Sequence, residues 1–427
     1  MSNCILKSLS AENFASFADK MEFTTLIDTS KKDSIDFTMC INEECYNKVS
    51  YIYGANGSGK TFFCKILREI QRMIDWSPLT AMNNSRLLEL PQFKGINSPI
   101  SYFAFDVEYE NIPTTFEIDL ILDNITYHYK FSILKQKVIY ELLTKKYKRT
   151  EKLLERTSPY SKDIVVKSEL RNFDVIKHVV KQEALALPVA ALLNNKTANK
   201  IVEAIKSIQV ISMTAARIQP TDSRKSFSDE RLKQYSRILS KADPTIRKMT
   251  VSFLEEEVSR EKLEIDDFEN REIIAKKTTV EVNSEHAVYE NGTETSRTPI
   301  KFFTDESLGT IKLFTTLPYL YDTLESGGVL FIDEIENGLH LSLVREIIEL
   351  FENPIANPYN AQLICTSHQP LLISKNTRRD QVWVISKNDY GKSRLHRMSD
   401  FKTSRSKVNL QNKILEGAFG CKPEKFF

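Results

Sequence analysis

Residues 49–67 read VSYIYGANGSGKTFFCKIL. Inside this stretch, Gly54-Ala55-Asn56-Gly57-Ser58-Gly59-Lys60-Thr61 is a complete G-x-x-x-x-G-K-[ST] match. An apolar strand pattern precedes it. After it, Phe62, Phe63, Ile66, Leu67, Ile70 and Ile74 recur at helical spacing. Glycines let the backbone bend with its N–H groups turned inward, and the following helix adds the partial positive charge of its N-terminus. In such a loop Lys60 reaches the β- and γ-phosphates of ATP, and the Thr61 hydroxyl ligates Mg²⁺. With only 12 glycines in 427 residues, chance produces the full pattern about once in a few hundred such chains. All eight residues are candidate nucleotide contacts.

Working outward, a second stretch, GGVLFIDEIENGLH, places the apolar run Val329–Ile332 directly before Asp333 and Glu334. A buried parallel strand reads as such a run, and α/β sheets put ligands at its C-terminal end. Asp333 is the candidate holder of Mg²⁺ beside Thr61, and Glu334 the candidate for polarising the attacking water. More than half the chain lies between Thr61 and Asp333, far more than a compact kinase or GTPase core needs. The nucleotide-binding domain is therefore expected to be split around inserted elements.

The rest of the chain is read for organisation. Short strands are expected at Ile5 to Leu9, Met21 to Leu26 and Val49 to Tyr53, and a β-rich flap over residues 100–135. Residues 145–171 are rich in lysine and arginine, and a charge run of this kind reads as a solvated helix face. Helices broken near Pro188 and Asn194 follow over 171–208, and β structure returns from Ile246 to about Phe303. The end alternates: helix Leu308 to Leu324, strand VLFID, helix Leu341 to Phe351, and strands QLICTSH and QVWVIS, which means a mostly parallel sheet covered on both faces. No sustained heptads argue for a coiled-coil arm.

The six cysteines form no CxxC pair and have no matching Cys/His set for zinc, which fits a reduced cytoplasm. The N-terminus lacks a signal-peptide pattern, and no apolar run is long enough to span a membrane. A net charge of +2 is too weak to argue for a nucleic-acid partner, although the 145–171 run leaves a local basic patch open.

Two further elements carry a resemblance. FFTDESLGTIKLF, with Ser307, Gly309 and Thr310 ahead of an amphipathic helix, resembles the signature of ABC ATPases; a plain helix N-cap at Ser307 or Asp305 is the competing reading. QLICTSHQPLL puts His368 where ABC proteins keep a switch histidine. The C-terminal third looks like the RloA/AbiLi group of bacterial anti-phage ATPases, through ESLGT, FIDEIENGLH, FENPIANPYNAQLICTSHQPLLI, TRRDQVWVISK and SDFKTSRSKVNLQNKILEGAFG. ENFASF, near the N-terminus, looks like a RecF/SMC-type start. No glutamine takes the Q-loop position, near which Phe105 and Asp106 fall.

The resemblance implies an α/β fold: an ABC-type P-loop nucleotide-binding domain with a mostly parallel sheet, an antiparallel β flap and a helical insertion. It divides the chain into an N-terminal lobe at 1–138, the insertion at 139–245 and a C-terminal lobe at 246–427. It also implies ATP and Mg²⁺ as cofactors and an ATP-sandwiched homodimer or larger assembly, in which Ser307 and Gly309 reach the γ-phosphate held by the opposite chain. Such an assembly controls a separate effector, a nuclease among the candidates, under a phage-derived trigger. The alternative is a RecF/SMC-like DNA-repair ATPase. A fused TOPRIM nuclease is not expected, because the stretch after His368 is short and lacks a DxD-like acidic set.

Overall fold

In the computed structural model the described residues are 4–28, 38–81, 98–170, 175–214, 224–266, 269–374 and 377–401. The tail beyond residue 401, which carries part of the resemblance above, lies outside them. Contacts group the chain into two units. The first comprises Met1–Thr214, Thr323–Asn337 and Leu341–Phe427, and the second Ala215–Asp322 with Gly338–His340.

The first unit is built on a six-stranded sheet in the order Gln209–Ser212, Val329–Asp333, Gln362–Ser367, Val49–Gly54, Val382–Lys387, Ser393–Arg397. Neighbours are parallel except the last pair. The three strands Val329–Asp333, Gln362–Ser367 and Val49–Gly54 are buried at every position, as central strands covered on both faces must be. Side chains divide with the period of two. Ile52, Phe331 and Ile364 join one core with Phe63, Ile66, Leu67 and Ile70 of the helix Lys60–Ala81. Strands Val49–Gly54 and Gln362–Ser367 also touch the helix Leu341–Glu352, which buries Val344, Ile347, Ile348 and Phe351.

A seven-stranded antiparallel sheet accompanies it, in the order Ile164–Val166, Thr150–Arg156, Lys137–Lys146, Ile125–Leu134, Thr114–Leu122, Cys4–Glu12, Met21–Thr24. Two-residue turns at Asp123–Asn124 and Lys135–Gln136, all four residues at positive φ, match the twist of the strands they join.

This sheet corrects the expectation of a helical insertion at 139–245. Its first part is β structure, and the helices Ile176–Val179, Ala186–Leu192, Lys196–Ser207 and Asp229–Ala242 come only afterwards. Val138, Leu143, Leu153 and Leu154 are buried, while the lysines between them point outward. The basic run is thus strand and turn. Two of its charges are met nearby: Lys145 lies 2.6 Å from Glu169 and 3.3 Å from Glu151, and Lys152 lies 2.8 Å from Glu155. Pro188 breaks nothing, because it sits in the first turn of its helix, where a missing N–H costs little. The chain does turn at Asn194, with φ +63°.

The second unit holds the paired strands Ile246–Asp266 and Glu269–Glu290, with Thr293–Lys301 along the latter. Strands of 21 and 22 residues far exceed the usual five or six. Phe227, Tyr235, Phe302 and Phe314 form the aromatic core beside them, Phe302 and Phe314 at 4.8 Å between centroids.

Cys40 and Cys45 face each other across the hairpin Thr38–Ile41/Glu44–Asn47 as a disulfide, while Cys4, Cys64 and Cys365 are free and buried. The reduced-thiol reading therefore holds for these three and not for the pair. A separation of five residues with a two-residue turn puts the pair directly opposite.

Glu141 shows how the antiparallel sheet is tied to the helices. Fully buried, it accepts the N–H groups of Ala186 (2.7 Å) and Leu187 (2.9 Å), two orphan donors of a helix start, and the Tyr129 hydroxyl (2.8 Å). Burial pushes its carboxyl above the usual range, against the pull of these donors and of Arg156. Glu141→Ala is expected to cost roughly 3 kcal/mol, because several buried donors lose their acceptor together. A lowered urea midpoint at unchanged slope, with ATP affinity retained, is the outcome to look for.

Candidate nucleotide site

The strand Val49–Gly54 delivers the chain into the loop 55–59, and the helix begins at Lys60. Gly59 has φ +115°, and a Cβ there would lie 2.7 Å from Ser16 Oγ and 2.9 Å from Ser393 Oγ, so no side chain is tolerated. The Lys60 ammonium is buried and donates to the carbonyls of Gly54 (2.8 Å) and Ala55 (3.0 Å), folded onto the loop it serves. Thr61 is exposed in the first turn, and Asn56 and Gly57 are exposed at the loop tip.

The loop is buttressed by residues from elsewhere. Ser393 donates its hydroxyl to the Ser58 carbonyl (2.6 Å) and its N–H to the Ser16 carbonyl (2.8 Å). The hydroxyls of Ser16 and Ser58 are buried without a hydrogen-bond partner. Native interiors rarely leave such groups unpaired. Beside a helix N-terminus and a buried lysine, two orphan hydroxyls suit a polyanionic ligand, so the residues present fit a nucleotide's phosphates. Ser393 was not found from sequence, and Ser16 only as part of ENFASF. Both act by packing against a loop remote in the chain.

The carboxylates stand at the neighbouring strand ends. Asp333 is 1% exposed and held from both sides: Oδ1 accepts from Thr366 Oγ1 (2.7 Å), and Oδ2 from Ser212 Oγ (3.3 Å). Its charge reaches the helix after the loop. Burial first, then the Asp333 carboxylate, push the Cys64 thiol well above its ordinary pKa. Among the described residues no cluster of three or more His, Cys, Asp or Glu could cage a metal. Mg²⁺ keeps several waters and takes one or two protein ligands beside phosphates, and Thr61 and Asp333 have the oxygen donors to serve as such ligands.

Glu334 has φ +54°. A non-glycine residue in that region costs about 1–2 kcal/mol and persists where its surroundings over-determine it. They do so here. Its N–H donates to Thr366 Oγ1 (2.8 Å), its carbonyl accepts from Asn337 N (2.8 Å), and its Oε2 accepts from Asn337 Nδ2 (3.3 Å). The turn leaves the carboxylate half-buried at the sheet's edge, able to take a proton from water.

His368 follows the strand Gln362–Ser367. Both its N–H (2.7 Å) and its Nδ1 (2.9 Å) meet Glu336 Oε1, with the imidazole half exposed and the carboxylate nearly buried. Glu336 is thereby committed to the histidine, which leaves Glu334 as the carboxylate open to water. Thr366 and Asn337 were not among the candidates read from sequence. Only the pairing of distant strands reveals Thr366, while Asn337 acts within the turn it shares with Glu334.

Ser307 and Gly309 belong to the second unit. Ser307 is exposed and accepts the Thr310 N–H (3.1 Å), so the N-cap reading describes its local role. A Cβ on Gly309 would lie 2.8 Å from the Gly338 carbonyl. Asp106, near the expected Q-loop, caps the short helix Val107–Asn111, and the Phe105 ring lies exposed under Lys387.

With this geometry established, the comparisons are informative. Residues 49–374 match the family model described as "AAA domain, putative AbiEii toxin, Type IV TA system". The chain belongs to this family of P-loop ATPases. No curated protein matches this AAA-family chain. Among solved structures it is similar to the SMC head domain from Thermotoga maritima, at 12% identity over 92% of this chain and 98% of that one, with a TM-score of 0.34. A score that low does not equate individual residues of the two. Among the described residues no helix is long and apolar enough to cross a membrane.

Within this AAA-family protein, Gly54–Thr61, Asp333–Glu334 and His368 converge at the C-terminal ends of three adjacent parallel strands, with Ser367 paired to Tyr53 and Cys365 to Ile332. Thr366→Val keeps the shape and removes the hydroxyl that serves both carboxylate residues. ATP binding is expected to persist while kcat falls about 10-fold or more, the worth of one buried hydrogen bond in the transition state. Unchanged turnover in a steady-state phosphate-release assay would remove Thr366 from the site.

Proposed function

We propose that this protein is the ATP-binding and ATP-hydrolysing component of a bacterial anti-phage, abortive-infection system, and that it works as a nucleotide-gated dimer or larger assembly controlling a separate effector. The observation that carries the ATPase part is the convergence of the P-loop, Asp333–Glu334 and His368 on one sheet edge. The family's description, with its toxin and toxin–antitoxin terms, supports the defence part. The C-terminal resemblance to RloA/AbiLi ATPases points the same way.

In this reading, Lys60 turns from the loop carbonyls to the β- and γ-phosphates, and the amides of 57–61 cradle them. Magnesium, when bound, neutralises phosphate charge. Thr61 and Asp333 hold it, with Thr366 and Ser212 fixing the Asp333 carboxylate. Glu334 orients and deprotonates the attacking water, and His368, steadied by Glu336, faces the γ-phosphate. The exposed Ser307, at the start of its helix, supplies the contact from the opposite chain. ATP is then interface glue, and hydrolysis releases it. A DNA-repair role draws little support from the 145–171 run, in which Lys145 already pairs with Glu151 and Glu169 and Lys152 with Glu155.

Glu334→Gln is expected to bind ATP normally and to hydrolyse it about 10² to 10⁴ times more slowly. Full turnover in this variant would falsify the assignment of the base.

Sharing of the site between chains has its own test. Ser307→Arg and Lys60→Ala should each be inactive alone, the first blocked in assembly and the second in nucleotide binding. Mixed, they form one composite site carrying both defects and one carrying neither, so part of the ATPase activity should return. A mixture as inactive as its components would argue against a site built from two chains.

A further inference from the structure

We infer that Glu306 is a positioning residue for Ser307, anchored by His286 and Ser284 at the base of the long hairpin. This rests on the reading of Ser307 as the contact to a second chain's nucleotide. The side chain of Glu306 is only 6% exposed. Its Oε1 lies 2.6 Å from His286 Nε2 and accepts the Ser284 hydroxyl at 2.7 Å. His286 is itself 8% exposed, and its Nδ1 lies 2.8 Å from Thr245 Oγ1, which donates to Asp243 Oδ1 at 2.6 Å. Asp243 closes the helix Asp229–Ala242, and Thr245 accepts the Ala287 N–H at 2.8 Å. A continuous polar chain thus runs from a helix end, through Thr245 just before the strand Ile246–Asp266 and through the strand Glu269–Glu290, to the residue before Ser307.

Helix capping does not explain this arrangement. Ser307 supplies the cap, and Leu308 beside it is 53% exposed, so the helix start needs no buried carboxylate. Burying a carboxylate costs several kcal/mol unless it is paired and hydrogen-bonded, so the site has been built around Glu306. What the anchor fixes is the backbone between the helices Phe302–Asp305 and Leu308–Ser326. Glu306 closes the first with its N–H on the Phe302 carbonyl (3.3 Å), and one peptide later Ser307 opens the second. With Glu306 held at both its main chain and its carboxylate, the direction of Ser307 Oγ is set by two backbone dihedrals and by its own χ1, which the Thr310 N–H restrains. A reacting group displaced by about 1 Å can lose 10²-fold in rate, so a rigid mount has value here. Because Ser284 and His286 lie on the strand Glu269–Glu290, the hairpin base and the exposed serine form one hydrogen-bonded piece.

The test is a double-mutant cycle on the full chain, with fluorescent-ATP affinity of the dilute protein, ATP-driven self-association, kcat and melting temperature as readouts. Glu306→Ala is expected to leave nucleotide affinity within about 2-fold and to lower kcat and association about 10-fold or more. Glu306→Gln keeps an acceptor for Ser284 and His286 and should restore most of the loss, which a need for charge alone would not allow. Ser307→Ala combined with Glu306→Ala should be no worse than Ser307→Ala by itself, since both act through one contact. If Glu306→Ala unfolds the protein, His286→Ala, which leaves the Ser284 hydrogen bond, takes its place in the cycle. Additive losses, or wild-type association in Glu306→Ala while Ser307→Ala is impaired, overturn the inference and leave the two-chain site standing. Wild-type association in Ser307→Ala and Ser307→Arg alike overturns that site, and this inference with it.

Discussion

One hydroxyl, on Thr366, holds the two halves of the candidate site in register. It donates to the Asp333 carboxylate and accepts the Glu334 N–H, so a single oxygen satisfies two consecutive residues of the neighbouring strand. The first bond keeps a nearly buried carboxylate aimed. The second helps hold Glu334 in a backbone conformation that it would not adopt alone. The strand carrying Thr366 also pairs with Val49–Gly54, so the position of the phosphate loop follows from the same register. A slip of one residue along Gln362–Ser367 would turn Thr366 to the opposite face and separate Asp333, Glu334 and the loop at once.

That dependence explains which parts of the site were legible in the sequence. The loop Gly54–Thr61 is local: its glycines, lysine and threonine lie within eight residues, and each is required by the phosphate geometry. The strand before Asp333 is legible for the same reason, as an unbroken apolar run with acids at its end. Thr366, Ser393 and Glu336 act across strand pairs whose members lie tens to hundreds of residues apart. Nothing in a threonine near a strand's end says which neighbour it will face.

The misreadings have equally particular causes. The strands Lys137–Lys146 and Thr150–Arg156 alternate only in part, with Leu153 and Leu154 both buried and Glu141 turned inward, and the lysines at their outward positions imitate a charged helix face. The turns before and between their strands, at Lys135–Gln136 and at 147–149, use no glycine pair, so the punctuation that marks a sheet is weak. Cys40 and Cys45 were passed over because metal spacing was sought. A separation of five across an Asn42–Glu43 turn instead aligns them as cross-strand partners.

The energetics of a gate make the exposure of Ser307 meaningful. Moving an assembly from about 1% to 99% formed takes roughly 5.5 kcal/mol of differential binding. Hydrogen bonds to charged groups contribute about 1.5–3 kcal/mol each, and a helix N-terminus facing a phosphate adds a few tenths to about 1 kcal/mol. A two-fold dimer would contain two such contacts, so Ser307 and its helix start, taken twice, reach the required range of differential binding. The same sum shows why hydrolysis can open the assembly. In the proposed assembly each contact would be made to the terminal phosphate, and both would be lost when it leaves. A binding surface built of buried apolar residues would not release on that signal, whereas a solvent-exposed serine does.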